Sequence, residues 1–229
     1  LEKPDDPPEM PDRAGYSYAS MGNYIFEPRA LINVLREVAQ EGLEPDFGTT
    51  IVPRMVDDHD YGVYAYDFHR NRVPGIKPYE EVGYWRDVGT LPTYWAAHMD
   101  LLGKQPRFDL NNRMWPIHSQ SYQRASPRVL SGQIEDSSLG VGTVVDEATI
   151  VRSVIGRDVW VEKGAEIVDS IITDHCRIGP DSRIRKGIVD RYNYIQPGEV
   201  IAADAPTDRS ESRVVDDLIA VARGRTRPI

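Results

Sequence analysis

Residues 138–205 read SLGVGTVVDEATIVRSV, IGRDVWVEKGAEIVDSI, ITDHCRIGPDSRIRKGI and VDRYNYIQPGEVIAADA, four copies of seventeen residues set end to end. One column holds Val144, Val161, Ile178 and Ile195, and another Ile150, Ile167, Ile184 and Ile201. The first column is Ser138, Ile155, Ile172 and Val189, and the last is Val154, Ile171, Ile188 and Ala205. Aliphatic residues recurring about six apart inside a fixed period of this length predict a β-solenoid. Each copy is expected to make one triangular coil of three short strands, aliphatics toward the axis. Polar residues turn the corners, and Gly164, Asp181 and Gly198 share one corner column. A single coil cannot bury its own apolar face, so the stack is the core.

The whole chain has 229 residues, 40% hydrophobic and 28% charged, an ordinary balance for a soluble domain or two. Its net charge of −9 argues against nucleic acid or an anionic membrane as partner. No run of apolar residues is long enough to span a bilayer, and a cytoplasmic location is expected. The lone Cys176 cannot form an internal disulfide and reads as a small buried residue within the solenoid. The chain begins at Leu1 without a methionine or a signal peptide and reads as part of something longer.

Ahead of the solenoid the signals are mixed. Leu1 to Tyr18 is rich in proline and predicts a surface loop. Ala19–Phe26 and Gly62–Phe68 have the β-branched and aromatic content of strands. Between them, Glu27-Pro28 starts a helix whose apolar face is Leu31, Ile32, Val34, Leu35 and Val38, ended by Gly42. Asp46–Met55 suggests a turn leading into a short helix. A further helix is predicted over Leu91–Leu102, with Thr90 as N-cap, Pro92 in its first turn and Gly103 as its stop. The boundaries expected are an α/β part over 1–105, a linker over 106–131, the solenoid over 132–205 and a tail over 206–229. In that tail, Ser210–Arg223 has helical spacing of Val214, Val215, Leu218, Ile219 and Ala222, followed by the basic residues Arg223, Arg225 and Arg227.

Chemistry is harder to read. The five histidines show no metal-ligand spacing, and no GxSxG, HExxH or P-loop motif is present. Asp87 precedes a helix N-terminus, which favours negative charge. It either complements that dipole, beside a structural ion pair of Arg86, or serves as a carboxylate handling metal or phosphate. His175, the only histidine of the repeats, falls in a corner column with Val141, Asp158 and Tyr192. A catalytic histidine there would suit a hexapeptide-repeat acyltransferase, and a non-catalytic assembly subunit is a further alternative. Exposed aromatics such as Trp160, Tyr192 and Tyr194 either suit a subunit interface or simply cover the solenoid surface.

Glu2-Lys3-Pro4, Ser20-Met21-Gly22-Asn23-Tyr24-Ile25-Phe26, Asp46-Phe47-Gly48, Tyr84-Trp85-Arg86-Asp87-Val88-Gly89-Thr90 and Trp115-Pro116-Ile117 occur in that order. With the solenoid after them, they resemble the glucose-1-phosphate adenylyltransferases of bacterial glycogen synthesis. The resemblance runs from Leu1 to about Ile201. It implies an α/β fold: the C-terminal part of a Rossmann-like nucleotidyltransferase domain followed by a left-handed parallel β-helix. The Gly-rich loop, the basic catalytic residues and a second metal-holding aspartate of that family have no counterpart in this sequence. Catalytic residues proper are therefore not expected here, and the fragment alone is expected to be inactive. By similarity, Lys3 would hold the phosphate of glucose 1-phosphate, Glu2 its sugar hydroxyls, and Ser20 would add a polar contact. Asp87 would help hold Mg²⁺ against the phosphates of ATP. Arg191 either matches an arginine that contacts a sugar-bisphosphate activator, with AMP another possible effector, or is a solvated corner arginine of the solenoid, and a homotetramer is implied.

Overall fold

The structure, a computed structural model, describes residues 7, 9–10, 13–119, 122–206 and 212–225. It divides into two units, Leu1–Asp67 and Phe68–Ile229. In the first, β1 (Glu9–Met10) pairs antiparallel with β2 (Arg13–Ser17), a small exposed hairpin where a loop is expected. Helix α1 (Pro28–Gln40) starts as predicted. Glu27 Oε2 accepts the Ala30 N–H at 2.9 Å, and Pro28 sits where its missing N–H is harmless. Asp46 caps a π-type turn at Phe47–Ile51, its Oδ1 accepting from the Thr49 N–H at 2.7 Å, and α2 (Val52–Asp57) follows.

Val34 and Val38 of α1 close with Ile51 and Met55 into a small core, with Leu31 and Leu35 packed beside it. Ile32, expected on the apolar face, is 46% exposed. Neither predicted strand of this region forms. Ala19–Phe26 carries no strand pairing. It does turn Tyr24 and Phe26 together against Phe47, with ring centroids 5.7–5.9 Å apart. Gly62–Asp67 is likewise irregular and Phe68–Arg70 is a 3-10 turn. Strand-like composition needs a neighbouring strand to supply the ladder, and neither segment has one among the described residues.

In the second unit α3 (Leu91–Met99) has the predicted cap. Thr90 and Thr93 exchange side chain-to-backbone bonds at 3.3 and 3.2 Å. The solenoid then begins at β3 (Arg128–Val129) and β4 (Gly132–Glu135), ahead of the four quoted copies, and its first coil closes with β5 (Ser138–Leu139) at the start of the first copy. The second coil is β6 (Val144–Val145), β7 (Ala148–Val151) and β8 (Val154–Ile155). The third is β9 (Trp160–Val161), β10 (Glu166–Val168) and β11 (Ile171–Ile172). The fourth is β12 (Arg177–Ile178), β13 (Arg183–Arg185) and β14 (Gly187–Val189), and β15 (Tyr194–Ile195) with β16 (Val200–Ile201) open the fifth. Like strands of successive coils pair in parallel, giving the three faces of a left-handed parallel β-helix.

The register corrects the sequence reading in one place. Val145 pairs with Val161 and Leu139 with Ile155, a step of sixteen, whereas Ile150, Ile167, Ile184 and Ile201 keep seventeen. Leu139 and Val145, not Ser138 and Val144, therefore line up with the inward columns. The spare residue sits in a corner, Asp146-Glu147 against Glu162-Lys163-Gly164, where no side chain must point inward. Inside a strand the same shift would turn every side chain to the wrong face. Each corner carries residues in the left-handed region: Glu147, Gly164, Asp181 and Gly198 at one, Asp136, Arg152, Asp169 and Lys186 at the next. Gly142, Asp158, His175 and Tyr192 hold the third, with Gly142 where the even period would place Val141.

Ile150, Ile167, Ile172, Ile178, Ile184, Ile195 and Ile201 are buried in the axis, and Cys176 lies among them at 2% exposure. Burial pushes its thiol up to about 12. The last aliphatic column does not point inward: next to the buried inward Ile172, Ile171 faces out and is still covered.

The predicted C-terminal helix is replaced by a hairpin. β17 (Ser212–Val215) pairs antiparallel with β18 (Leu218–Val221), and β18 pairs in parallel with β14. Asp216, at φ 55°, makes the tight turn. Val214-Val215 and Leu218-Ile219 suit helical and strand spacing alike, and the open edge of β14 decides for the strand. Ala220 then aligns with Ile188 in the column where Ala205 is expected. Among the described residues no helix is long and apolar enough to cross a membrane.

Candidate functional site

The segment 84–90 runs beside α3 and then turns into it. The Tyr84 hydroxyl reaches the Ala97 carbonyl and Asp100 Oδ2, each at 3.4 Å, and the Tyr84 ring stacks on Phe108 at 5.2 Å. Arg86 donates Nε to Asp100 Oδ2 at 2.9 Å and both terminal nitrogens to Glu81, at 2.9 and 2.6 Å. This pairing lowers the Glu81 carboxyl below its usual range and raises the guanidinium further. Arg86 is thus the structural ion pair foreseen from the sequence.

Asp87, the next residue, is exposed and faces a different task. Its Oδ1 accepts the Gly89 N–H at 2.9 Å, which fixes the carboxylate just ahead of the α3 N-terminus. A Cβ on Gly89 would sit 3.1 Å from that oxygen, so the glycine leaves the carboxylate its room. No cluster of three or more His, Cys, Asp or Glu side chains able to hold a metal occurs among the described residues. One fixed and exposed carboxylate still fits Mg²⁺, which takes one or two carboxylates and completes its shell with waters and phosphate oxygens.

Helix α3 is bound to the solenoid at two corner residues. The Trp95 indole N–H donates to the Asp169 carbonyl at 2.7 Å, and the Gly103 N–H donates to Asp136 Oδ1 at 2.5 Å. Asp136 belongs to the first coil and Asp169 to the third, about 10 Å along the axis at strand spacing. The chain therefore runs from the third coil at Trp95 back to the first at Gly103, which leaves the N-terminus of α3 toward the later coils. The helix packs on β18, and on the same face of the solenoid the outward Ile171 and Ile188 are only 2% and 7% exposed. Tyr94 continues the line: burial raises its hydroxyl, the Asp190 charge adds to this, and Arg191 opposes it. The end of α3 that follows Asp87 therefore lies toward the corner that carries Arg191.

Arg191 itself is half exposed, with Nε 3.8 Å from Asp190 Oδ1. Its carbonyl accepts the Gly224 N–H at 3.0 Å, tying the corner to the chain after β18. Ser20, in the first unit, accepts the Gly22 N–H at 3.2 Å, and its hydroxyl lies 2.9 Å from that of Tyr24. Glu2 and Lys3 lie outside the described residues, as does Arg227. His175 is a corner residue: its ring stacks on Tyr192 at 5.4 Å, and its Nδ1 is 3.4 Å from Asp158. A cavity of about 360 Å³ is lined by Phe68, Ile76, Glu80, Tyr84, Phe108 and Trp115. It does not include Asp87, and the Glu80 carboxylate in it is taken by the Lys77 and Asp109 N–H groups.

Sequence reasoning missed Trp95, Asp100, Asp136 and Asp169. Helix α3 reads LPTYWAAHM, apolar around most of its circumference, so no single stripe marks the face that docks.

Two family profiles match in succession, one described as Nucleotidyl transferase over residues 1–104 and one as GlmU-like, C-terminal hexapeptide over 124–222. Curated relatives include three proteins named glucose-1-phosphate adenylyltransferase. That of Thermodesulfovibrio yellowstonii is 44% identical over 208 residues, covering 91% of this chain and 50% of the relative. That of Corynebacterium jeikeium is 39% identical over 212 residues, covering 91% and 52%. The Cutibacterium acnes protein is 35% identical over 232 residues, covering 100% and 56%. The chain spans about half the length of the curated relatives it matches.

Proposed function

Because the chain belongs to the glucose-1-phosphate adenylyltransferase family, we propose that it serves the transfer of an adenylyl group from ATP to glucose 1-phosphate, giving ADP-glucose and pyrophosphate. The observation that carries this reading is Asp87, held by the Gly89 N–H and open to solvent ahead of α3. Mg²⁺ bound with ATP supplies charge neutralisation at the phosphates. Asp87 anchors that ion and sets its position. Lys3 pairs with the sugar phosphate as a compact positive charge, Glu2 accepts from sugar hydroxyls, and Ser20, oriented by Gly22, adds a polar contact. Alignment and charge neutralisation are most of what phosphoryl-type transfer requires of a protein.

In this reading the reaction feeds glycogen synthesis in the cytoplasm. The β-helix supports a homotetramer and, through Arg191, the binding of a phosphorylated effector such as a sugar bisphosphate or AMP. The test is steady-state kinetics in an active enzyme that contains this chain. Asp87→Asn lowers kcat by about a hundredfold, as loss of a charge-stabilising group does, and raises the Mg²⁺ needed for half-maximal rate. Lys3→Ala raises KM for glucose 1-phosphate. An unchanged metal dependence in the first variant, or an unchanged KM in the second, removes that residue from the site.

A further inference from the structure

We propose that Trp95 is a positioning residue for Asp87: its indole N–H, bonded to the Asp169 carbonyl, fixes α3 on the solenoid and so fixes the carboxylate that precedes the helix. This rests on the reading of Asp87 given above and extends it to a residue on the helix that follows.

Asp87 has little of its own to hold it. It is exposed, and its carboxylate accepts from the Gly89 N–H, two residues on in the same turn. Besides the Arg86 bonds to Glu81 and the Tyr84 ring on Phe108, what places it acts through α3. Behind it, Tyr84 and Arg86 reach the Ala97 carbonyl and Asp100 at the far end of the helix. Ahead of it, Thr90 and Thr93 start the helix. Asp87 therefore moves with α3 as one body.

The helix in turn is set on the solenoid by few directional contacts. Packing against β18 adds cohesion, but apolar contact is non-directional and lets a helix slide or roll. Direction comes from the Gly103 bond to Asp136 near the C-terminal end and the Trp95 bond to Asp169 nearer the N-terminal end. The acceptor is well fixed: Asp169 is a left-handed corner residue at φ 52°, and its N–H is bonded to the Val151 carbonyl at 3.1 Å. Its carboxylate is paired with Arg152 at 2.5 Å, and the Arg152 guanidinium lies 6.0 Å from the Trp95 ring. Of the two directional contacts among the described residues, Trp95 is the one nearer to Asp87. Losing its N–H leaves α3 pinned at one end and free to pivot at the end where the carboxylate sits.

The experiment removes the donor and keeps the ring, by placing 3-benzothienyl-alanine, with sulfur for the indole N–H, at position 95 of the chain. Trp95→Phe is the genetic companion. Hydrogen exchange is then followed at single amides. The expected result is that the Gly89 amide exchanges roughly threefold to tenfold faster, the worth of one hydrogen bond, while Ile172 and Val189 in the solenoid keep their rates. An unchanged Gly89 rate overturns the proposal, and so does a uniform rise at every amide, which marks a merely structural role.

In an active enzyme containing the chain, with Mn²⁺ as the probe ion, the same replacement raises the half-saturating metal concentration and leaves KM for glucose 1-phosphate in place. Unaltered metal dependence there overturns the functional half. Asp87→Asn, measured alongside, separates the two ideas. If Asp87→Asn leaves metal dependence unmoved, the reading of Asp87 has failed. If Asp87→Asn changes it and the Trp95 replacement does not, the positioning role has failed.

Discussion

Arg86 and Asp100 stand fourteen residues apart and meet Nε to Oδ2 at 2.9 Å, closing the loop on which Asp87 is carried. Arg86→Ala leaves Asp100 without that donor and leaves Glu81 with only the more distant Arg107, at 3.7 Å. The group is partly exposed, so the loss lies between the limits for surface and buried pairs, about 1–3 kcal/mol. Urea unfolding at neutral pH measures it, and a midpoint equal to that of the parent chain refutes it.

The axis of the prism tolerates no void. Ile167 is fully buried and touches other aliphatics of the stack. Ile167→Ala is expected to destabilise by about 2–5 kcal/mol, and Ile167→Val by about 0.5–1.5 kcal/mol. The ratio of the two, from chemical unfolding monitored by circular dichroism, separates lost packing from a change in strand preference.

Two glycines of one corner column differ sharply in surroundings. A Cβ on Gly164 would lie 2.1 Å from Asp181 Oδ1, while one on Gly198 meets nothing within 4 Å. Both residues have positive φ, 75° and 70°, so an alanine at either carries the left-handed penalty of about 1 kcal/mol. Gly198→Ala is expected to lose that amount alone and Gly164→Ala clearly more. Equal melting temperatures for the two variants would contradict the corner geometry.

Cys176 gives the solenoid an alkaline weakness. Its thiol titrates near 12 in the fold against an ordinary value of 9.0, raised by burial. Above the ordinary value the unfolded chain sheds this proton and the folded chain keeps it, so unfolding gains ground as pH rises. The contribution is whole below about pH 9 and is lost progressively toward pH 12. Cys176→Ala should flatten the decline in stability over that window, read from denaturant midpoints. At neutral pH the native thiol should resist iodoacetamide until the chain is unfolded.

What the residues disclosed in advance follows from how local each cause is. The prism was readable because three aliphatic columns must stay in phase for any coil to bury its face. Caps such as Thr90 and Glu27 were readable because the donor and acceptor lie three residues apart. The off-by-one register of Leu139 and Val145 was not, since a corner can absorb a residue without disturbing the pattern of the strands. The hairpin at Val214 and Ile219 was missed because its deciding influence, the bare edge of β14, is distant in sequence. Asp87 could be singled out from its place before a helix. Trp95 could not, because its acceptor is a backbone carbonyl seventy-four residues away, and a carbonyl carries no sequence signature.

The fold-back at the C-terminus has a consequence for self-assembly. A stack of parallel strands is its own template, since each added rung presents the same edge as the one before. β17 breaks that recurrence by running the other way, so accretion of further chains along this face meets a strand of the wrong polarity. Cleaving the chain before Ser212 would strip the stop and bare Gly187–Val189, turning a terminated prism into a seed for fibrous growth.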